Sequence, residues 1–257
     1  MSLGITASHG MLVAAGEVAR APLFRIVATF SHQCVSIKVM TIDRAGFPFI
    51  GVALTPTIAS IALGHPLAAF LLVALPAAVT LFFRDPERFP PRGPGAVVAP
   101  ADGRILTAGA AKSTVAPPGH WHQISIFLSP LDVHVNRVPI GGTVTQVVHT
   151  RGRFLPAYSK DAATDNERSE IWLQHDNQTV VFRQVVGALA RRVVCRVVPG
   201  AKVQTGERFG IMKFGSRMDL FLPTSATLLA TEGERVRAGE TVIARLPDSE
   251  SFGNDAV

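Results

Sequence analysis

A mainly β domain of sandwich or barrel type, preceded by an apolar helical hairpin, is the fold class predicted for this chain of 257 residues. Three observations predict it. From residue 104 onward, short runs rich in Val, Ile, Phe and Thr alternate with turn residues at roughly ten-residue spacing, the pattern of a sandwich or barrel. Before them, residues 49–83 contain no Asp, Glu, Lys or Arg. Between the two lies Asp85-Pro86-Glu87-Arg88-Phe89-Pro90-Pro91, whose prolines mark a linker.

Each element follows in order. Residues 1–45 read as an N-terminal extension. They lack the basic start, apolar run and small-residue cleavage site of a signal peptide. Met40 is followed by Thr-Ile-Asp-Arg-Ala-Gly-Phe-Pro-Phe and reads as a natural start, which would make residues 1–39 additional. Residues 46–92 form the hairpin and linker. Gly64-His65-Pro66 divides the uncharged run into pieces of 15 and 17 residues, and Pro56 and Pro76 interrupt them. Each piece is short of the ~20 residues that span a bilayer. Lys38 and Arg44 precede the run, and Arg84, Arg88 and Arg92 follow it. By the positive-inside rule both ends stay on the cytoplasmic side. A hairpin dipping into one leaflet satisfies both facts; a hairpin buried in a core is the alternative. Residues 93–257 form the β-rich domain. Strands are predicted over 104–107, 123–128, 143–149, 170–174, 179–186, 192–198, 209–213 and 217–222.

Composition narrows the function. Hydrophobic residues are 47%, charged residues 17% and the net charge +6. That excludes a disordered chain. A basic, apolar chain fits an anionic membrane surface. One Tyr, two Trp and no long basic run argue against nucleic acid. Cys34 and Cys195 are far apart, so no disulfide framework is expected and a reducing compartment is the natural inference. The eight His residues form no ligand pattern; His120 and His122 stand alone as a pair, and no metal site is expected. Neither G-x-G-x-x-G nor a P-loop is present.

Three segments could carry chemistry. The first is Gly215-Ser216, between two alternating runs. The Ser216 hydroxyl can turn onto the unshielded Gly215 carbonyl and attack it, shifting the acyl group from nitrogen to oxygen. β-Elimination then cleaves the chain and leaves a ketone at the new N-terminus. An ordinary hairpin turn is the alternative. The second is Pro100-Ala101-Asp102-Gly103, which reads first as a turn. In the third, Asp132, His134 and Asn136 share one face of an extended segment; that face is either a site or a solvated edge.

Together, P-A-D-G (100–103), S-P-L-D-V-H-V-N-R-V-P (129–139), N-E-R (166–168) and F-G-S-R-M-D (214–219) resemble the phosphatidylserine decarboxylases. The likeness is to the short, pyruvoyl-dependent form of bacteria and archaea, over about residues 46–246. It implies a catalytic domain similar to biotinyl and lipoyl β architectures. It implies self-cleavage between Gly215 and Ser216, into a β chain (1–215) and an α chain (216–257). Ser216 would become the covalent pyruvoyl cofactor. The catalytic residues would then be Ser216, Gly215, His134 and Asp102. The lipid's serine amine would form a Schiff base with the ketone, an electron sink for loss of carbon dioxide. His134 would protonate the resulting carbanion, giving phosphatidylethanolamine. Arg168 and Arg137 are the substrate-binding candidates, since a guanidinium grips phosphate bidentately; a surface arginine in a polar loop is the other reading of Arg168. The long form has a second His where this chain has Arg137, which leaves open the base that activates Ser216. The implied partners are phosphatidylserine, the membrane surface and, as an open question, further copies of the chain. The implied location is the cytoplasmic side of the cell membrane, peripheral or monotopic.

Rival readings use other features. A biotinyl or lipoyl carrier would attach its group at Lys213 of Met212-Lys213, with Val236-Arg-Ala-Gly239-Glu240 downstream. Lys213 reads equally as a snorkelling strand residue. A pyruvoyl decarboxylase of a soluble amino acid would not need the apolar run. A non-catalytic, membrane-anchored β domain would remain one chain.

Overall fold

The structure is a computed structural model and describes residues 40–159, 161–188, 193–213 and 216–247. The expectations for residues 1–39, for Cys34 and for Gly215 lie outside the described residues. The strands are β1 (Met40–Ile42), β2 (Arg84–Pro86), β3 (Ala96–Val98), β4 (Gly103–Ala110), β5 (Trp121–Leu128), β6 (Val135–Arg137), β7 (Gly142–Thr150) and β8 (Arg168–His175). They continue with β9 (Gln178–Val186), β10 (Val193–Cys195), β11 (Lys202–Val203), β12 (Arg208–Met212), β13 (Ser216–Pro223), β14 (Thr227–Leu228), β15 (Arg235–Val236) and β16 (Val242–Arg245). The helices are α1 (Phe47–Ala62), α2 (Pro66–Leu72), α3 (Ala74–Phe82) and the short α4 (Ala162–Asp165). Each of the eight predicted strand runs overlaps a strand, although of the run 192–198 only Val193–Cys195 is strand among the described residues.

Eight strands form one sheet in the order β11-β7-β8-β9-β13-β5-β4-β15. Two three-stranded sheets, β10-β12-β6 and β14-β16-β3, accompany it. Val97, Phe209, Met212, Ile243 and Ala244 of the small sheets share one core with Ile126, Phe182, Met218 and Leu220 of the large sheet. The layering is that of a sandwich. The end strands β11 and β15 do not pair with each other, so there is no closed barrel, and that half of the expectation is corrected.

The apolar run is helical and breaks where expected. Gly64 takes φ 73°, which ends α1, and Pro66 opens α2. Pro56 lies inside α1, where it cannot donate to the carbonyl of Val52. The Thr55 hydroxyl donates to that oxygen instead, at 2.7 Å. The second arm is two helices rather than one. Pro76 can neither donate to Leu72 nor accommodate its carbonyl, so α2 stops at Leu72 and α3 begins at Ala74. Residues 44–62 are long and apolar enough to cross a membrane, and Pro66–Phe82 is a shorter apolar stretch. Val52, Leu67 and Phe70 are 72, 74 and 76% exposed.

The base of this hairpin is tied to the β domain. β1 pairs with β2 across the hairpin, from Met40 opposite Pro86 to Ile42 opposite Arg84. A Cβ on Gly46 would lie 2.6 Å from Phe83, so glycine lets α1 start against the end of α3. Phe82, Phe83, Val133, Val135 and Ile211 form a second core there.

Asn166 anchors the loop before β8. Its amide donates to the carbonyls of Leu155 and Val186, each at 2.8 Å, and its oxygen accepts from the Leu155 N–H at 2.9 Å. Substituting Asn166→Ala strands three backbone groups, each costing on the order of 1–3 kcal/mol when buried. We expect a loss of at least about 2 kcal/mol, read as a lower denaturant midpoint at unchanged slope.

Candidate active site

Ser216 opens β13, an interior strand of the large sheet. It sits opposite Leu128 on β5 and Val186 on β9. Side chains alternate along a strand. Ser216, Met218, Leu220 and Leu222 therefore face the core, where the last three are fully buried. Ser216 is also fully buried, and its Oγ has no hydrogen-bond partner among the described residues. A buried hydroxyl without a partner costs stability, so a native one calls for an explanation.

The other face of β13 is held by a polar lattice. Arg217 Nε donates to Asp219 Oδ1 at 2.7 Å, and Arg217 Nη2 donates to Ser125 Oγ at 2.9 Å. Ser125 donates to Asp219 at 2.6 Å, and Gln123 donates to Ser125 at 2.9 Å. The Arg183 guanidinium lies 4.7 Å from the centre of the Phe221 ring and pairs with Glu170. The charges are buried but paired, which is what keeps them tolerable. Arg217 and Asp219 stood in a quoted motif without a role. Ser125, Gln123 and Arg183 are distant in sequence, and only the strand register brings them together.

His134 lies immediately before β6 and is fully buried. Its backbone carbonyl accepts from the Met212 N–H at 3.2 Å, beside the end of β12. Met212 ends β12, four residues before Ser216 in the chain. Its Nδ1 is 2.9 Å from the Asp132 carbonyl. A carbonyl only accepts, so Nδ1 carries the hydrogen and Nε2 holds the lone pair of the neutral ring. The ring lies 4.2 Å from Phe82, centre to centre. Burial pushes its pKa down to about 4, with the Arg84 cation adding to the effect and Asp132 opposing it.

Asp102 takes another place in the fold. It accepts from Arg88 at 2.9 Å and from the Ala238 N–H at 2.7 Å. Arg88 also reaches Glu240 at 2.7 Å. Burial raises the Asp102 pKa; Arg88 and the Ala238 N–H pull against it. A cavity of about 250 Å³ is lined by Asp102, Arg84, Arg88, Val133 and Arg237, among others. An apolar cavity of about 280 Å³ between α3 and Pro130–Leu131 is lined by Phe82 and Arg84. Arg84 thus borders both cavities, a placement that its position in the sequence does not show.

The two substrate-binding candidates are not brought to Ser216. Arg137 is buried, and its guanidinium donates to Gly206 O at 3.0 Å, Pro86 O at 2.9 Å and Asp85 at 3.2 Å. Those bonds fasten the linker to the domain. Arg168 pairs in register with Val185, which pairs with Arg217. It therefore lies on the face opposite Ser216, with Nη1 donating to Thr164 O at 2.7 Å. Lys213 is half-buried, with its ammonium 4.7 Å from the centre of the Phe49 ring. That is not the exposed tip a swinging arm requires, which corrects the carrier reading. No cluster of three or more metal-binding side chains occurs among the described residues.

Known proteins are similar to this sequence. The family model described as phosphatidylserine decarboxylase matches residues 75–244, which include β6, β12 and β13. Several proteins named phosphatidylserine decarboxylase proenzyme are similar. The one from Desulfotalea psychrophila is 40% identical over 206 residues, 80% of this chain and 96% of that one. The one from Salinibacter ruber is 49% identical over 178 residues, 68% of this chain and 78% of that one. The one from Mycolicibacterium vanbaalenii is 42% identical over 224 residues, 83% of this chain and 92% of that one. Matches of this extent and identity, over the segment that carries the buried Ser216 and His134, make the chain a member of the phosphatidylserine decarboxylase family.

Proposed function

We propose that this chain is a proenzyme that cleaves itself between Gly215 and Ser216 and then converts phosphatidylserine to phosphatidylethanolamine. The observation that carries the reading is the Ser216 hydroxyl, fully buried and without a partner at the start of an interior strand. A residue kept for structure alone would gain by being alanine there. A serine that must attack the preceding carbonyl needs its oxygen uncommitted. The same orphaned oxygen fits a pyruvoyl group at this position, held at the N-terminus of the α chain.

When formed, that group supplies an electron sink for loss of carbon dioxide from the substrate's serine carbon. The chain's own residues do the rest. β13 holds position 216 by its ladders to β5 and β9 and by the Arg217–Asp219–Ser125 lattice. His134, kept neutral by burial with its lone pair on Nε2, takes a proton from the substrate's ammonium and then returns it to the reacting carbon. Asp102 with Arg88 fixes the wall of the adjoining cavity. Arg84, between the polar and apolar cavities, is a better placed cation for the lipid phosphate than Arg137 or Arg168. The exposed apolar face of α1–α3 supports attachment to the membrane surface, on the cytoplasmic side given the flanking cations.

Three outcomes are expected. Ser216→Ala remains a single full-length chain by intact mass and has no decarboxylase activity; normal processing of that variant would refute the cleavage site. The neutral form of His134 prevails above about pH 4. The acid limb of activity should therefore fall as pH drops through about 4, not near the ordinary histidine value of ~6.5. A limb near 6.5 in a folded enzyme would remove His134 from proton transfer. Finally, the full-length protein should float with anionic vesicles, and Leu67→Asp with Phe70→Asp should lower the bound fraction several-fold. Equal binding would reject the hairpin as the attachment.

A further inference from the structure

A buried amide pair lies on the same side of the sheet as Ser216 and has no place in the mechanism above. Gln184 Nε2 donates to Asn136 Oδ1 at 2.8 Å, and both side chains are fully buried. Gln184 Oε1 and Asn136 Nδ2 have no hydrogen-bond partner among the described residues. Gln184 sits on β9 opposite Met218, and Val186 sits opposite Ser216. Gln184 is therefore the diagonal neighbour of Ser216 on the core face, within reach of a long side chain. Asn136 sits opposite Gly210 across β6 and β12. A Cβ at position 210 would lie 2.7 Å from Gln184 Nε2 and 2.3 Å from the Val194 carbonyl, so glycine there is what gives the pair room.

The unfilled valences are complementary. Ser216 Oγ–H lacks an acceptor, Gln184 Oε1 lacks a donor, and Asn136 Nδ2 has hydrogens to give. Three unsatisfied buried groups in one layer are costly. A polar set of that kind is what a step with moving charge would use.

We infer that Asn136 and Gln184 are positioning residues for self-cleavage: Asn136 holds Gln184, whose free amide oxygen accepts from the Ser216 hydroxyl and orients it for attack. The inference rests on the proposed cleavage at Gly215–Ser216. In that step the Ser216 Oγ–C bond forms, the hydroxyl proton passes to a base, and negative charge collects on the former carbonyl oxygen. Collapse breaks the C–N bond, the nitrogen takes a proton, and an ester results. Loss of the Ser216 Cα proton then breaks the Cβ–Oγ bond and releases the Gly215 carboxylate. Water replaces the nitrogen, which leaves as ammonia, and the ketone remains. The amide pair acts before the ester, not after it.

The test follows chain cleavage, not turnover. Full-length wild type, Asn136→Leu and Gln184→Met are purified, and the conversion of one chain into two is timed by intact mass. Circular dichroism and melting report the fold. Both variants should cleave roughly tenfold more slowly than wild type, the scale of losing one hydrogen bond that orients the nucleophile. Hydroxylamine, which splits esters, should not restore the wild-type rate of chain release in them. Cleavage at the wild-type rate in a folded variant overturns the inference. So does hydroxylamine release of two chains from either variant at the wild-type rate, because the ester then forms as fast without the pair. If an apolar variant does not fold, Gln184→Asn, which keeps the amide but shortens its reach, carries the test, and wild-type cleavage by it overturns the inference. If wild type itself does not cleave between 215 and 216, the proposed function fails as well. If only the variants behave as wild type, the pair alone is wrong.

Discussion

The strand β13 is constrained from both faces and both edges, and the site depends on that constraint. Its edges are paired with β5 and β9 through Phe221 and beyond. One face packs Met218, Leu220 and Leu222 into the core. The other face is locked by the contacts among Arg217, Asp219, Ser125 and Gln123. A strand held in this way cannot slip, because a shift by one residue would send every side chain to the opposite face. Ser216 is therefore delivered into the core as a polar atom that the fold does not satisfy. Stability is given up at that residue, and the lattice on the far face offsets it.

A second set of charges ties the apolar hairpin to this domain. Asp43 meets Arg196 at 2.6 Å, Asp85 meets Arg137 and Arg208, and Arg88 bridges Asp102 and Glu240. Burial and Arg196 act oppositely on Asp43, and its pKa ends below the usual carboxylate range. The pairs clamp β1, β2 and the linker onto the strands around His134. The second apolar core, with Phe82 against the His134 ring, lies at the same junction. The helices that expose apolar surface and the imidazole that is kept neutral thus meet through Phe82 and Phe83.

Part of this was legible in the chain. The strands could be read because alternation of Val, Ile and Phe with polar residues is a local signal, and register does not alter it. The helix break at Gly64-His65-Pro66 could be read because Gly and Pro act on their own turn. The interruption by Pro76 could be read for the same reason, since it forbids the bond to Leu72 and the arm divides at Val73. Asp102, Arg137 and Arg168 were each assigned to the site by motif. The structure shows Asp102 bound to Arg88 and the Ala238 N–H, Arg137 bound to Asp85 and Gly206, and Arg168 on the face opposite Ser216. Motif order carries no information on which side of a sheet a residue lies, nor on partners that are distant along the chain.

By itself the sequence determined the succession of elements, the uncharged helical run and the family, through residue types at short spacing, where sterics and side-chain chemistry act locally. Only the tertiary structure decided that Ser216 is buried without a partner, that burial keeps His134 neutral, and that Asn136 and Gln184 share a layer with Ser216. Those properties depend on solvent exclusion and on contacts between strands far apart in the chain. Desolvation and hydrogen-bond satisfaction have no meaning for a residue until its neighbours are in place.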